Sequence, residues 1–161
     1  MRPPLDAKQG LVVSDVVLGY GRGEGEEWSD LTALKGFDFF VPPSAEVPMG
    51  RTLSLYFEVY GLQGDEPSFE LSYTLLKAGS LGAMQPIADR TTTRTVFLAQ
   101  GSRHVVELDI DLDGLDDEGR YRLAMEVRDR VSDGLAKQDV EFVLLDPERR
   151  MQEASDKLSK R

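Results

Sequence analysis

Apolar and polar residues alternate along most of the chain between residues 11 and 145. In the clearest run, Leu53, Leu55, Phe57 and Val59 alternate with polar and aromatic residues. A period of two residues is typical of a β-strand with one buried and one wet face. Runs of this kind, separated by turn residues at irregular intervals, predict an all-β protein.

The segment from 115 to 145 predicts the hairpin that closes this fold. Its first strand alternates from Tyr121 onward, and its second covers Gln138 to Leu145. The spacing Leu-x-x-x-Gly-x-Tyr-x-Leu favours a tyrosine corner at Tyr121, with an ordinary half-buried strand tyrosine as the alternative. We therefore predict an immunoglobulin-like or fibronectin-like antiparallel β-sandwich of about seven to eight strands.

Three further segments are assigned from the same pattern. Residues 11–18 predict the first strand, and residues 37–41 predict a short strand that ends at Pro42. Residues 78–90, which contain glycine and proline, predict a long connection.

The two ends of the chain differ from the sandwich, which we place at residues 11–145. Residues 1–10 predict a flexible arm, and residues 146–161 predict a C-terminal amphipathic helix with Asp146 as its cap and Pro147 in its first turn. Its apolar residues at helical spacing, the predicted partner-binding residues, are Met151, Ala154 and Leu158. A helix of about this length is marginal alone in water, so it must dock or fray.

Composition narrows the function classes. The chain has 161 residues, enough for one domain, and a net charge of -10. This acidity argues against nucleic-acid binding, which needs a cationic face, and against anionic membrane surfaces. Cysteine is absent, so disulfides and thiolate chemistry are excluded, and no apolar segment approaches the roughly 20 residues that insert into a membrane.

One acidic segment resembles a metal site. Asp109, Asp111, Asp113 and Gly114 match the opening of a calcium loop, D-x-D-x-D-G. The match then fails, because position twelve needs a bidentate glutamate and Arg120 stands there.

Strand alternation offers another interpretation of these carboxylates. It places them on the wet face of one strand, facing the arginines on the wet face of the next strand. We name this predicted arrangement the charged ladder; its cations are Arg120, Arg122 and Arg128. We prefer it to calcium binding, and we expect neither a metal nor a cofactor.

Other chemistry has little support. His104 is the only histidine, so a serine triad or a multi-histidine metal site cannot be assembled from this chain, and we expect a surface or packing role for it. Acidic residues are numerous enough for a glycosidase pair, but abundance does not place two of them across a cleft. Trp28, the only tryptophan, is a candidate for an exposed partner-binding patch or for a cap on the core.

Several strand motifs suggest a family. They are LVVSDVVL at 11–18, YFEVYGL at 56–62, GRYRLAMEVRD at 119–129 and FVLL at 142–145. In this order they resemble the C-terminal β-sandwich region of bacterial GWxTD-domain proteins, although the motif that names the family is absent. The resemblance implies an exported, periplasmic or extracellular protein, and it implies no catalytic residues.

The sequence leaves three functions open. The first is a non-catalytic interaction or scaffolding module of the bacterial cell envelope that binds a protein partner. The second is an accessory structural subunit of a larger membrane-associated complex, such as a respiratory, transport or photosynthetic one. The third is a carboxylate-based or calcium-dependent hydrolase module. No signal peptide is present in residues 1–10, so the chain is expected to be either cytoplasmic or a mature or excised piece of an exported protein.

Overall fold

The computed structural model describes residues 10–21 and 39–161. Within these ranges it contains ten strands and one helix. In chain order they are β1 (Val12–Val13), β2 (Val17–Tyr20), β3 (Glu46–Pro48), β4 (Leu53–Tyr60), β5 (Ser68–Ala78), β6 (Met84–Pro86), β7 (Thr93–Leu98), β8 (Arg103–Ile110), β9 (Gly119–Asp129), β10 (Leu135–Leu145) and α1 (Pro147–Ser159). In the described part of the chain, no helix has the length and apolar character needed to cross a membrane.

The first sheet, sheet A, is built around β4. β8 pairs with β4 along its whole length, from Leu53 opposite Ile110 to Tyr60 opposite Arg103. Because β8 occupies that edge, β1 and β2 share the other edge of β4. All pairs in sheet A are antiparallel, and its four strands occupy three strand positions, because β1 and β2 lie end to end along the same edge of β4.

The second sheet, sheet B, has the order β3, β10, β9, β5, with β6 and β7 sharing the outer edge of β5. β9 occupies the inner edge of β5, from Phe69 opposite Asp129 to Lys77 opposite Tyr121. β3 runs parallel to β10, and the other pairs are antiparallel. Sheet B therefore has five strand positions. Together with the three positions of sheet A, the sandwich has eight.

The strand order is that of an immunoglobulin-like sandwich. Among the described strands, β1 and β2 lie in sheet A, β3 lies in sheet B, β4 and β8 lie in sheet A, and the last two, β9 and β10, form a hairpin in sheet B. Near the start of β9, the Tyr121 hydroxyl donates to the carbonyl oxygen of Asp117 at 2.7 Å, which is the tyrosine corner of such folds. The predicted immunoglobulin-like β-sandwich with a C-terminal helix is confirmed.

The core lies between the sheets and follows the alternation seen in the sequence. One set of side chains in β4 and one in β9 point inward and are almost completely buried. They are Leu53, Leu55, Phe57 and Val59 in β4, and Tyr121, Leu123, Met125 and Val127 in β9. Full burial of each aliphatic side chain stabilises the fold by about 1.5–3 kcal/mol.

The structure differs from two of the strand assignments. The strand predicted at 11–18 is interrupted at Ser14. The side-chain hydroxyl of Ser14 accepts a hydrogen bond from the backbone N–H of Glu58 at 2.9 Å, where a regular β-ladder would use a backbone carbonyl oxygen. The connection at 78–90 contains a short strand, β6. Of the strand predicted at 37–41, only the part from Phe39 onward is described, and Phe40 forms a bridge with Tyr20.

The charged ladder predicted from the sequence is wrong, because β8 and β9 belong to different sheets. Arg120 and Arg122 instead contact Glu141 on β10, at 3.3 and 2.7 Å. Arg128 contacts Glu126 and Asp133, so the arginines of β9 pair within sheet B and its own hairpin turn.

Candidate functional site

Helix α1 begins at a well-formed cap. One carboxylate oxygen of Asp146 accepts hydrogen bonds from the backbone N–H groups of Glu148 and Arg149, at 3.0 and 3.3 Å. Pro147 follows in the first turn, where its missing N–H costs nothing. Glu148 in the first turn and Lys157 in the last turn also suit the helix dipole. The helix start is therefore encoded locally, as the sequence predicts.

The helix is held to the sandwich by polar contacts of Glu118. One oxygen of the Glu118 carboxylate accepts from the backbone N–H of Asp146 at 2.7 Å, and the other contacts the Arg149 guanidinium at 3.3 Å. Arg149 also pairs with Glu153 one turn along the helix. None of the residues of α1 is buried. The helix is thus tethered at its first turn and has no apolar packing of its own.

The predicted apolar residues of the helix lie on one face. We name Met151, Ala154 and Leu158 the α1 stripe. Met151 and Leu158 are 71% and 72% exposed. At 100° per residue, both lie roughly opposite Arg149, the residue that contacts the sandwich. Met151 and Leu158 therefore face away from the contact with Glu118 and are available for apolar binding, whereas Ala154, at the edge of the stripe, lines the cleft that the helix forms with Glu118.

Basic side chains border this stripe. Arg150 and Lys157 lie on the same side of Ala154 around the helix axis, each within roughly 60° of it. Both belong to a shallow cleft of about 400 Å³ between the helix and Glu118. The surface of α1 thus combines an apolar centre with a cationic border.

Trp28, the other predicted partner-binding residue, lies outside the described residues. Its role stays a prediction.

The calcium candidate is not assembled as a metal site. The Asp109 carboxylate accepts a hydrogen bond from the Ser54 hydroxyl at 2.7 Å, and the Asp111 carboxylate accepts from the backbone N–H of Asp113 at 2.8 Å. The guanidinium of Arg90 donates to the carbonyl oxygens of Asp111 and Asp113, at 2.9 and 2.6 Å. A cationic side chain therefore already binds two oxygens of this loop. Among residues 10–21 and 39–161, no three acidic or histidine side chains are grouped to hold a metal ion.

Glu58 forms a polar cluster that sequence reasoning did not identify. Although it lies on the outer face of β4, its side chain is almost completely buried. Its carboxylate accepts from the Tyr56 hydroxyl at 3.2 Å, from the Tyr60 hydroxyl and from Arg103. Burial alone would raise the pKa of Glu58, but the hydrogen bonds from Tyr60, Arg103 and Tyr56 outweigh it and lower the pKa.

The chemistry of this cluster is that of a structural contact. A carboxylate with a lowered pKa and three donors is ionised at neutral pH and holds no proton to transfer. Burial, followed by the charge of Glu58 and its hydrogen bond, raises the pKa of Tyr56. The hydrogen bond to Glu58, followed by burial, raises the pKa of Tyr60, so both phenols keep their protons as well. The cluster therefore joins β4 to β8, and its carboxylate has no proton to donate as a catalytic acid.

Asp129 is a second buried carboxylate, at the end of β9. It accepts from the backbone N–H of Gln63 at 3.0 Å, from that of Val131 at 2.9 Å and from the Ser132 hydroxyl at 2.8 Å. Burial opposes its ionisation, but these donors outweigh burial and lower the pKa of Asp129. The residue fixes the β9–β10 turn to the loop after β4. A sequence signal exists, because Asp129 lies three residues before the sequence Ser-Asp-Gly, and an aspartate at the start of a turn is suited to accept hydrogen bonds from the N–H groups of the turn.

His104 packs against aromatic rings. Its imidazole centroid lies 5.3 Å from that of Phe69 and 5.7 Å from that of Phe97. This agrees with the expected packing role.

The outer face of sheet A contains a depression of about 420 Å³. Glu107 and Asp109, two residues apart on β8, both line it, and such residues lie roughly 7 Å apart along a strand. Both carboxylates are exposed to solvent.

The comparisons with known proteins add no function. A scan against protein-family models finds no match, and a search of curated proteins finds none. Among solved structures, the chain is similar to an alkylpurine DNA glycosylase, AlkC, of Pseudomonas fluorescens bound to DNA containing an abasic site analog, with 13% identity and a TM-score of 0.46. It is also similar to an immunoglobulin-like protein, PA1606, of Pseudomonas aeruginosa, with 17% identity and a TM-score of 0.41.

The coverage of these two matches differs. The first includes 83% of this chain but only 30% of the glycosylase chain. The second includes 87% of this chain and 100% of the immunoglobulin-like chain. At these identities and TM-scores, neither likeness carries an argument about chemistry or partners.

Proposed function

We propose that this chain is a non-catalytic β-sandwich module of the bacterial cell envelope that binds a protein partner through the α1 stripe. The single observation that supports this most is the state of α1. The helix has 13 residues and none is buried, although three of its apolar residues share one face. The sandwich that precedes it has its own complete core, so it does not need the helix for folding.

The energetics favour docking of this helix. Isolated helices shorter than about 12 to 15 residues are marginal in water, and most helix stability in proteins comes from packing of an amphipathic face. Burial of Met151 and Leu158 in a partner would contribute about 1.5–3 kcal/mol each, before the cost of association. Binding in a groove of the partner would therefore stabilise the helix, and the same contacts would contribute to the affinity of the complex.

Charge indicates the kind of partner. Residues 147–161 carry five cationic and three acidic side chains, a net charge of +2. The whole chain carries -10, so residues 1–146 carry -12. Arg150 and Lys157 border the α1 stripe, and an acidic surface would complement them. The occupant we propose is a protein with an apolar groove and an acidic rim.

The envelope location follows from the resemblance to GWxTD-domain proteins and is part of the proposal. The accessory-subunit alternative uses the same helix and differs only in the size of the assembly. The hydrolase alternative stays a prediction, and the exposure of Glu107 and Asp109 speaks against an acid–base pair there.

Site-specific photocrosslinking in the source cells tests the proposal. A photoreactive residue at 151 or 158 should give the same cross-linked protein, whereas one at Asp156, on the other side of the helix, should not. With that protein purified, we expect the double variant Met151→Ala and Leu158→Ala to raise the dissociation constant at least about tenfold. Asp156→Ala is the matched control. Equal cross-linking from all three positions would contradict the proposal.

A further inference from the structure

The described edge strands of the two sheets differ in how they discourage pairing with another chain. β8, at the edge of sheet A, carries Arg103, Glu107 and Asp109 on its outer face. β3, at one edge of sheet B, has three residues and ends at Pro48. At the remaining edge of sheet A, β2 is already bridged by Phe40. Charges, short length and proline all discourage edge pairing.

β7, at the other edge of sheet B, has fewer of these features. It is six residues long, Thr-Arg-Thr-Val-Phe-Leu, and it contains no proline and no carboxylate. In residues 91–102 the only charged side chain is Arg94. Val96 is 48% exposed and Leu98 is 79% exposed on the outer face of the sheet. β7 is thus an open strand with apolar side chains in an otherwise acidic protein.

The direction of the backbone groups of β7 follows from its pairing with β5. The N–H of Ala99 donates to the carbonyl oxygen of Pro67 at 2.8 Å, which makes this a hydrogen-bonded pair. Such pairs alternate in an antiparallel ladder, so Phe97 and Thr95 also bond to β5. The N–H and C=O groups of the residues between them point away from β5, toward the open edge. These residues are Arg94, Val96 and Leu98.

We propose that a second copy of this chain pairs with β7 through its own β7, antiparallel, about a two-fold axis at Val96. The three outward residues of each copy would then exchange six backbone hydrogen bonds across the axis. Val96 would lie opposite Val96 of the second copy, and Arg94 opposite Leu98 of the second copy. The pairing would join the five positions of each sheet B into one sheet of ten.

The charges at this contact permit self-pairing. A two-fold contact places the residue on the axis opposite its own copy, so a charged residue there would repel itself. Here the residue on the axis is a valine, and each arginine meets a leucine. Glu70 lies opposite Val96 on β5. The two copies of Glu70 would therefore be three strand spacings apart, about 14 Å, which exceeds the Debye length of about 8 Å at physiological ionic strength.

The proposal is tested by the mass of the full chain in solution over a concentration series, with sedimentation velocity or light scattering. We expect a monomer–dimer equilibrium that shifts toward dimer as salt rises, because each chain carries a charge of -10. Val96→Lys and Val96→Glu should each raise the dimer dissociation constant at least about tenfold. An equimolar mixture of the two variants should restore the dimer, since opposite charges then meet on the axis.

The matched control is Val105→Lys on β8, where the valine is 40% exposed on the outer face of the other sheet. It should leave the dimer unchanged, and so should the double variant of the α1 stripe. Thermal melts show whether each variant is folded. A wild-type chain that stays monomeric at all concentrations overturns the proposal, whatever the variants do. Loss of the dimer in Val105→Lys, or no rescue in the mixture, also overturns it.

Discussion

Replacement of Asp129 by asparagine should destabilise the protein strongly, although the two side chains have nearly the same shape. One carboxylate oxygen of Asp129 accepts from the N–H of Val131, and the other accepts from the N–H of Gln63 and the hydroxyl of Ser132. An asparagine has only one carbonyl oxygen, so either orientation of its amide places an NH₂ group against a backbone N–H. One buried donor must then lose its acceptor.

The magnitude follows from these bonds. A hydrogen bond to a charged group contributes about 1.5–3 kcal/mol, and an unsatisfied buried donor adds its own desolvation penalty. We expect Asp129→Asn to lower the free energy of unfolding by about 2–4 kcal/mol. For a chain of this size that corresponds to a fall of roughly 5–15 °C in melting temperature.

Urea unfolding followed by circular dichroism measures this loss. Asp139→Asn is the matched control, because Asp139 is exposed on β10, and it should change stability by less than about 0.5 kcal/mol. A loss below about 1 kcal/mol for Asp129→Asn would refute the reasoning.

The same residue gives a pH test. The folded-state pKa of Asp129 lies below its ordinary value, so its contribution to stability is complete above that ordinary value, near 3.8. The contribution is lost as the pH falls through the folded-state pKa. The wild-type protein should therefore lose stability more steeply below about pH 4 than Asp129→Asn does. Equal slopes for the two proteins would count against an ionised Asp129.

Three further outcomes are expected. Tyr121→Phe removes the hydroxyl that donates to Asp117 and should cost about 0.5–1.5 kcal/mol in urea unfolding; no loss would argue against the tyrosine corner. Phe57→Ala leaves a cavity between the sheets and should cost about 3–5 kcal/mol in the same assay. Millimolar calcium or a chelator should leave the melting temperature unchanged within about 1 °C, because Arg90 already binds the Asp111 carbonyl oxygen; a clear rise with calcium would contradict this.

Features encoded within a few residues were predictable from the sequence. The inward face of β4 follows from strict alternation, and the start of α1 follows from Asp146 and Pro147. The tyrosine corner follows from a spacing within one turn, since Asp117 and Tyr121 are four residues apart. In each case the interacting groups are close in the chain, so the contact can be predicted from the local pattern of residues.

Features that depend on which strands meet were not predictable. Alternation shows which face of a strand carries charge, but it does not show which sheet the strand joins. Residues 99–102 connect β7 in sheet B to β8 in sheet A, and the chain then returns to sheet B at β9. Because β8 and β9 lie in different sheets, the charged ladder predicted between them does not form.

The burial of polar side chains was not predictable for the same reason, because it depends on which strands meet. Glu58 occupies a position that alternation assigns to the wet face, yet it is buried with donors from β4 and β8 around it. Such burial depends on long-range contacts that a period of two residues does not encode.

Amide hydrogen exchange along α1 tests the central claim most directly, because the claim is that this helix completes its packing only in a partner. In the free protein, the amides of residues 148–159 should exchange close to unprotected rates, with opening free energies below about 1 kcal/mol, while β9 shows protection near the global stability. Addition of the protein identified by cross-linking should slow exchange in α1 at least about tenfold. Protection of α1 in the free protein equal to that of β9 would contradict the account.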